Sequence, residues 1–182
     1  MERKTADEND MQSRFEQSVL PHLDAAYNLA RWLLRNEHDA QDVVQDAFMR
    51  AFKFFGGFRG GNSRSWLLSI VRNTAYTWLE KNRKHEFAAA FDDEIHAIED
   101  NSLNPEVLFL RDADREQVRH AIESLPAGFR EAVILRELEG LSYKEIAEIA
   151  EVPVGTVMSR LARARKLLEQ TLAKTADHGG AR

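Results

Sequence analysis

The sequence predicts an all-α protein: two small helical domains joined by a flexible linker. Three observations carry that prediction. Apolar residues recur at helical spacing along most of the chain, and no segment alternates like a strand between turn signals. Glycines, prolines and polar caps divide the periodic stretches into helices of ordinary length. Between two periodic blocks the composition turns mixed and then acidic, over residues 83–104.

The elements follow in order. Residues 1–12 are polar and are expected to be disordered. The first block covers residues 13–82. Its stretch from Pro21 to Arg35 is amphipathic, with Leu23, Ala26, Tyr27, Ala30 and Leu34 on one side. Asp39 is a candidate cap for the next helix, which runs to Phe55. Gly56 and Gly57 are expected to end it in left-handed geometry. Phe58-Arg59-Gly60-Gly61-Asn62 reads as a loop, and Asn62 or Ser63 starts a third helix through Trp66, Leu67, Ile70, Val71, Thr74 and Trp78. The linker carries Asp92, Asp93, Glu94, Glu99 and Asp100 without an apolar period. A second block covers residues 105–172, and 173–182 are expected to be a disordered tail.

The segment Leu141–Leu168, LSYKEIAEIAEVPVGTVMSRLARARKLL, is the most informative. It reads as two short helices around a tight turn. Ser142 and Glu145 have capping-box spacing, and Pro153 interrupts the first helix while suiting the start of the second. At about 100° per residue, Val157, Leu161, Ala164 and Leu168 form one stripe. Thr156, Ser159, Arg160 and Arg163 fall opposite, with Lys166 at the edge. A helix-turn-helix presents such a face to a DNA major groove, where Arg pairs bidentately with guanine and Ser or Thr serves bases or phosphates. The plainer alternative is a surface helix with a solvated basic face.

Composition bounds the function. A chain of 182 residues holds one domain or two small ones, and 43% hydrophobic content suffices for real cores. Cysteine is absent, so disulfides and thiolate metal sites are excluded. No apolar run suits a membrane span and MERKTADENDMQ lacks a signal-peptide core, so a cytoplasmic location without membrane insertion is expected. The net charge of −5 argues against indiscriminate polyanion binding. It leaves room for a local cluster such as Arg160, Arg163, Arg165 and Lys166.

Two features of the first block carry chemistry. Asp39, Asp42 and Asp46 lie three and four residues apart, on one helix side with Gln45 nearby. They suit a polar docking surface, a carboxylate metal site with His38, or a solvated face favoured near a helix N-terminus. No second ligand cluster supports the metal, so neither a metal nor another cofactor is expected. The second feature is FRGGNSRSWLLSIVRNTAYTWLEKNRK, which mixes bases, aromatics and amides. Arg59, Arg64, Arg72, Lys81, Arg83 and Lys84 can meet phosphates, Tyr76 can stack, and Asn62 and Asn73 can read base edges. That mixture suits unpaired DNA. Trp66 and Trp78 share stripes with Leu67, Ile70 and Val71 and read as core.

With these residues in view, the chain resembles the bacterial RNA polymerase sigma factors of the extracytoplasmic-function type. The resemblance runs from Ser13 to Leu172 through DAQDVVQDAFMRAFKFF, FRGGNSRSWLLSIVRNTAYTWL, Asn104-Pro105-Glu106 and ESLPAGFREAVILRELEGLSYKEIAEIAEVPVGTVMSRLARARKLL. It implies a sigma-two-like domain over 13–82 and a sigma-four-like helix-turn-helix domain over 105–172. Core RNA polymerase would dock on Asp39, Asp42, Gln45, Asp46 and Phe48. The −10 promoter element would be read and opened by Arg59, Gly60, Gly61, Asn62, Ser63, Arg64, Arg72, Asn73 and Tyr76. The −35 element would be read by Thr156, Ser159, Arg160, Arg163 and Lys166. The linker would thread through the polymerase, promoter DNA would be the nucleic-acid partner, catalysis would stay with the polymerase, and an anti-sigma factor is the expected regulator. Two departures stand out. The FRGGNSRSWL loop is a residue shorter than in some relatives, and Met158 stands where others often carry arginine.

Two other functions compete. A stand-alone helix-turn-helix regulator would explain the second block but not the first. A carboxylate-dependent metal hydrolase would rest only on His38, Asp39, Asp42 and Asp46.

Overall fold

The computed structural model describes residues 2–82 and 112–179, so the linker reading at 83–104 lies outside the described residues. Among the described residues every regular element is helical. The first stretch contains α1 (Glu2–Val19), a 3-10 turn (Leu20–His22), α2 (Leu23–Leu34), α3 (Glu37–Phe54), a second 3-10 turn (Phe55–Gly57) and α4 (Ser63–Asn82). The second contains α5 (Asp112–Ser124), α6 (Ala127–Val133) running into a π turn (Ile134–Leu138), α7 (Tyr143–Ala150) and α8 (Val154–Gly179). The chain forms two compact units, one centred on α1–α4 and the other on α5–α8.

Both chain ends are more helical than the sequence suggested. α1 already begins at Glu2, and α8 continues to Gly179, where residues 1–12 and 173–182 were expected to be disordered. Neither stretch contains proline, and α1 opens on Glu, Arg, Lys, Thr and Ala, most of which are good helix formers. Each stretch also extends a helix that is anchored further along, at Phe15 and Val19 or at Leu161 and Ala164.

In the first unit α2, α3 and α4 pack against one another in pairs. Leu29, Leu33 and Leu34 from α2 and Leu67 and Leu68 from α4 are fully buried. Burying one such side chain contributes roughly 1.5–3 kcal/mol. A helix as short as α2, with 12 residues, needs that contribution, because it is marginal on its own. Ala26, Ala30, Ala40, Ala47 and Ala51 are buried as well, and their small side chains let the backbones approach closely.

The turns follow from their caps. Arg35 ends α2 in left-handed geometry at φ 58°, donating its N–H to the Arg31 carbonyl at 2.9 Å. Asn36 is then extended, and its Oδ1 accepts from the Asp39 N–H at 3.0 Å. The cap of α3 is therefore Asn36, and Asp39 sits in the first turn, where its charge suits the helix dipole. A two-residue turn leaves no room for Asp39 to stand outside the helix. Asn62 caps α4 in the same way, its Oδ1 accepting from Ser65 N–H at 3.0 Å. Gly56 and Gly57 do not take the expected left-handed geometry. They complete a 3-10 turn, and positive φ falls instead on Gly60 at 89° and Gly61 at 106°.

The second unit turns more sharply. The π turn carries Ile134 and Leu135 inward, and Glu139 N–H donates to Ile134 O at 3.0 Å. Gly140 at φ 65° lets Leu141 N–H reach back to Leu135 O at 3.0 Å. Ser142 and Glu145 then form the expected capping box. Glu145 Oε2 accepts from Ser142 N–H at 2.8 Å, and Ser142 Oγ accepts from Glu145 N–H at 3.2 Å. Glu151, left-handed at φ 55°, ends α7 while Val152 N–H bonds Ala147 O at 3.1 Å, the six-to-one bond of a Schellman stop. Pro153 O accepts from Thr156 N–H at 3.0 Å and starts α8. Val157, Leu161 and Ala164 face inward as predicted, on a helix that packs on α5 and α6.

Asn36→Ala is expected to lower the unfolding free energy in urea by about 1 kcal/mol, with a smaller loss for Asp39→Ala. A larger loss from Asp39→Ala would return the cap to Asp39.

Candidate nucleic-acid interface

α8 presents its polar side unevenly. Lys166 is exposed, whereas Thr156, Ser159 and Arg163 are half-buried. The Ser159 hydroxyl donates to Thr156 O at 3.0 Å, so its lone pairs are what it offers outward. Arg160 does not share that outward face. Its side chain is only 17% exposed, and its Nη1 lies 4.0 Å from Oε2 of Glu131, itself buried in α6. Its guanidinium stands over Gly128. At the N-terminal end of α8, the exposed side chains are Val154 and Met158, on either side of exposed Gly155. The helix therefore opens with apolar contact atoms, followed by cations.

The loop before α4 joins a rigid base to an open tip. Arg59, Gly60, Gly61 and Asn62 are exposed, while Ser63 and Arg64 are half-buried. Behind them Phe58 stacks on Phe55 with ring centroids 5.8 Å apart and packs on Trp66 at 4.8 Å. Phe55 in turn meets Phe15 edge-on at 5.3 Å. Trp66 thus belongs to the support of the loop, as its stripe suggested. Along α4, Asn73 is exposed and Arg72 and Tyr76 are half-buried. The Arg72 guanidinium lies over the Tyr76 ring at 4.6 Å and donates to Asn73 Oδ1 at 3.2 Å, which places the three side chains together. Arg83 and Lys84 lie outside the described residues.

The acidic side of α3 is partly neutralised. Asp46 pairs with Arg50 at 3.0 Å, and Asp42 faces the His38 imidazole at 3.8 Å. Asp39 is half-buried, and Gln45 is exposed. Phe48, half-buried, lines a groove of about 410 Å³ with Leu23, Asp24 and Tyr27 of α2 and Gln41, Val44 and Gln45 of α3. Met49, Phe52 and Phe54 add exposed apolar surface to α3. Among the described residues, no group of three or more His, Cys, Asp or Glu could hold a metal ion, and no helix is long and apolar enough to cross a membrane.

The described residues thus hold a capped helix-turn-helix and a helical bundle with a braced glycine loop. Comparison with known proteins gives the family. Residues 19–85 match sigma-70 region 2, and residues 115–168 match sigma-70 region 4. The chain is 36% identical over 167 residues to the RNA polymerase sigma-H factor of Pseudomonas aeruginosa, covering 87% of this chain and 86% of that one. It is 40% identical over 142 residues to the ECF RNA polymerase sigma-E factor of Escherichia coli K12, covering 72% of each. Among solved structures it is similar to the sigma factor RpoE of Bartonella quintana in complex with the anti-sigma factor NepR. That likeness has a TM-score of 0.67 and 32% identity, over 88% of this chain and 97% of RpoE. It is also similar to CnrH in complex with the cytosolic domain of CnrY, with a TM-score of 0.63 and 27% identity, over 90% of each chain. The chain belongs to the sigma-70 family of RNA polymerase sigma factors, in its extracytoplasmic-function group.

Several residues of these surfaces had no local signal in the sequence. Leu23, Tyr27 and Val44 meet in the groove only because α2 lies beside α3. His22 stands 41 positions before Ser63, yet its Nε2 lies 3.2 Å from Ser63 Oγ, at the root of the glycine loop. Burial, and then the charge of Arg64, hold its pKa below the ordinary 6.5. The folded state therefore disfavours the imidazolium, and the unfolded chain binds the proton more readily. The stability tied to His22 is fully present above about 6.5 and is lost as pH falls through that value, levelling off below the folded pKa. The stability difference between the parent protein and His22→Gln is expected to shrink as pH falls from about 7.5 to about 5. A constant difference in urea unfolding across that range would contradict it.

Proposed function

We propose that this sigma factor docks on core RNA polymerase through α2 and α3 and reads two promoter elements with separate units. The observation that carries the reading is the presence of both sigma-70 regions in one chain, each with its own polar surface. Asp39, Asp42, Gln45, Asp46 and Phe48 form the polymerase-facing side, and the groove between Leu23, Tyr27 and Phe48 supplies an apolar seat beside the acids. The loop Arg59–Arg64 with Arg72, Asn73 and Tyr76 reads and opens the −10 element. Its left-handed glycines support that role, since a short, exposed polar loop on rigid helices can approach an unstacked base closely. Thr156, Ser159, Arg163 and Lys166 on α8 read the −35 element in the major groove. Residues 83–104 serve as the linker between the two readers.

The protein performs no catalysis of its own and works in the cytoplasm, where its polymerase and promoter are. An anti-sigma factor is the expected regulator, supported by the RpoE neighbour, which was solved bound to one.

The test is reconstitution with core polymerase. Reversing the charge at Asp42 and Asp46 together is expected to weaken core binding about tenfold or more while leaving the helical circular dichroism unchanged, because exposed charges contribute little to folding. In a randomised-promoter selection, Ser159→Ala or Arg163→Ala is expected to shift preference at the −35 element by roughly 1–3 kcal/mol at one position. Lys166→Ala is expected to weaken all promoters alike and to reduce the salt dependence. Unchanged core affinity would remove the α3 surface from the reading. Tight duplex binding without polymerase would instead favour a stand-alone regulator.

A further inference from the structure

We propose that Gly128 and Glu131 form a seat in α6 for the guanidinium of Arg160, and that Arg160 is a positioning residue for −35 recognition rather than a reader of bases. The proposal rests on the reading of α8 as the −35 helix.

Glu131 has a side chain only 1% exposed, three residues after Gly128 in α6. A carboxylate so far from water needs cations or donors around it. Arg160 comes to it from α8, Nη1 to Oε2 at 4.0 Å. A Cβ added to Gly128 would lie 3.4 Å from Arg160 Cζ, 3.5 Å from Nη1 and 3.6 Å from Nε. A Cβ there would make ordinary van der Waals contact with the planar group, and only a longer side chain would enter the space that it occupies.

Neighbours on α8 show which way this holds the helix. Val157, Leu161 and Ala164 are buried, and Arg160 flanks that stripe on the α6 side. Turning Arg160 out to a base would empty the seat and take a cation from beside a buried carboxylate. A seated Arg160 instead fixes the rotation of α8 about its own axis. On a helix about 10–12 Å across, a turn of roughly 10° moves the outward side-chain tips by about 1 Å, enough to misplace a hydrogen-bonding group. Ser159, Arg163 and Lys166 would all move together.

The sequence reading placed Arg160 opposite the apolar stripe with the other polar residues, although at about 100° per residue it stands only about 60° from Val157. Nothing in the local sequence shows that a glycine and a buried glutamate face it across the turn.

Three single variants separate the roles: Arg160→Gln, Glu131→Gln and Gly128→Leu. The last displaces the guanidinium without altering either charge. Each is assembled with core polymerase and measured against a −35 library and a −10 library at two salt concentrations, at a temperature where circular dichroism shows it folded. A seat predicts that all three weaken −35 binding about threefold or more, leave the −10 profile unchanged, and lower discrimination at several −35 positions together. The combination of Arg160→Gln with Glu131→Gln should cost no more than the larger single effect. The salt slope should stay constant, unlike that of a lost phosphate contact. Preference erased at a single base pair by Arg160→Gln, with Glu131→Gln and Gly128→Leu silent, would make Arg160 a base reader and overturn the proposal. So would a lower melting temperature in all three with −35 binding intact, which would confine the seat to folding. If Glu131→Gln does not fold, Gly128→Leu and Arg160→Lys decide alone: the first should weaken −35 binding, and the second should restore much of what Arg160→Gln loses. A parent holoenzyme indifferent to the −35 sequence would instead refute the reading of α8 itself.

Discussion

Burial of one apolar stripe per helix is the constraint on which the rest of this structure depends. α7 has 8 residues, too few to persist alone in water. Its helicity, and the direction in which α8 leaves it, depend on Ile146, Val157, Leu161 and Ala164 staying out of solvent. Once that stripe is inside, geometry at about 100° per residue decides which side chains can point outward. The outward set is therefore a consequence of packing. The same holds in the first unit, where the buried leucines of α2 and α4 set the direction in which the acids of α3 face.

The turns refine what packing fixes. Three of the helix starts near a candidate surface are closed by a side chain that accepts a backbone N–H: Asn36 for α3, Asn62 for α4 and Ser142 for α7, whereas α8 starts on the Pro153 carbonyl. These caps join candidate surfaces to stability, since Asn62 both ends the glycine loop and starts the helix that carries Arg72, Asn73 and Tyr76. Two turns accept strain. Arg35 and Glu151 occupy left-handed geometry where glycine would be easier, at a cost of roughly 1–2 kcal/mol each. Both lie at tight exits between helices, where a Schellman or similar stop requires that conformation.

Much of this was legible in the sequence because it is local. The helix-turn-helix, its capping box, the inward stripe of α8 and the supporting role of Trp66 all follow from periodicity and short spacing. The errors were also local, where two signals of similar strength competed. Asp39 and Asn36 are both good caps, and only the left-handed Arg35 decides between them. Gly56-Gly57 and Gly60-Gly61 both allow positive φ, and only the second pair uses it. What the sequence could not reveal depends on contacts far apart along the chain. His22 beneath Ser63, Tyr27 beside Phe48 and Glu131 beneath Arg160 are joined only after the helices pack. Arg160 is the most consequential example, because Glu131, the carboxylate beside it, lies in another helix and is brought to it only by packing.

With α8 as the proposed −35 reader, its outward face is held in place by the inward one, so truncating the inward stripe should impair both folding and reading. Leu161→Ala removes a fully buried side chain without touching any polar residue. The direct measurement is chemical unfolding of this variant, followed by holoenzyme footprinting on a promoter with both elements. A loss of about 2–5 kcal/mol in stability, together with lost protection at the −35 element and retained protection at the −10 element, is the expected result. Near-parent stability, or full −35 protection despite a large loss of stability, would contradict the claim that the buried stripe fixes the reading face.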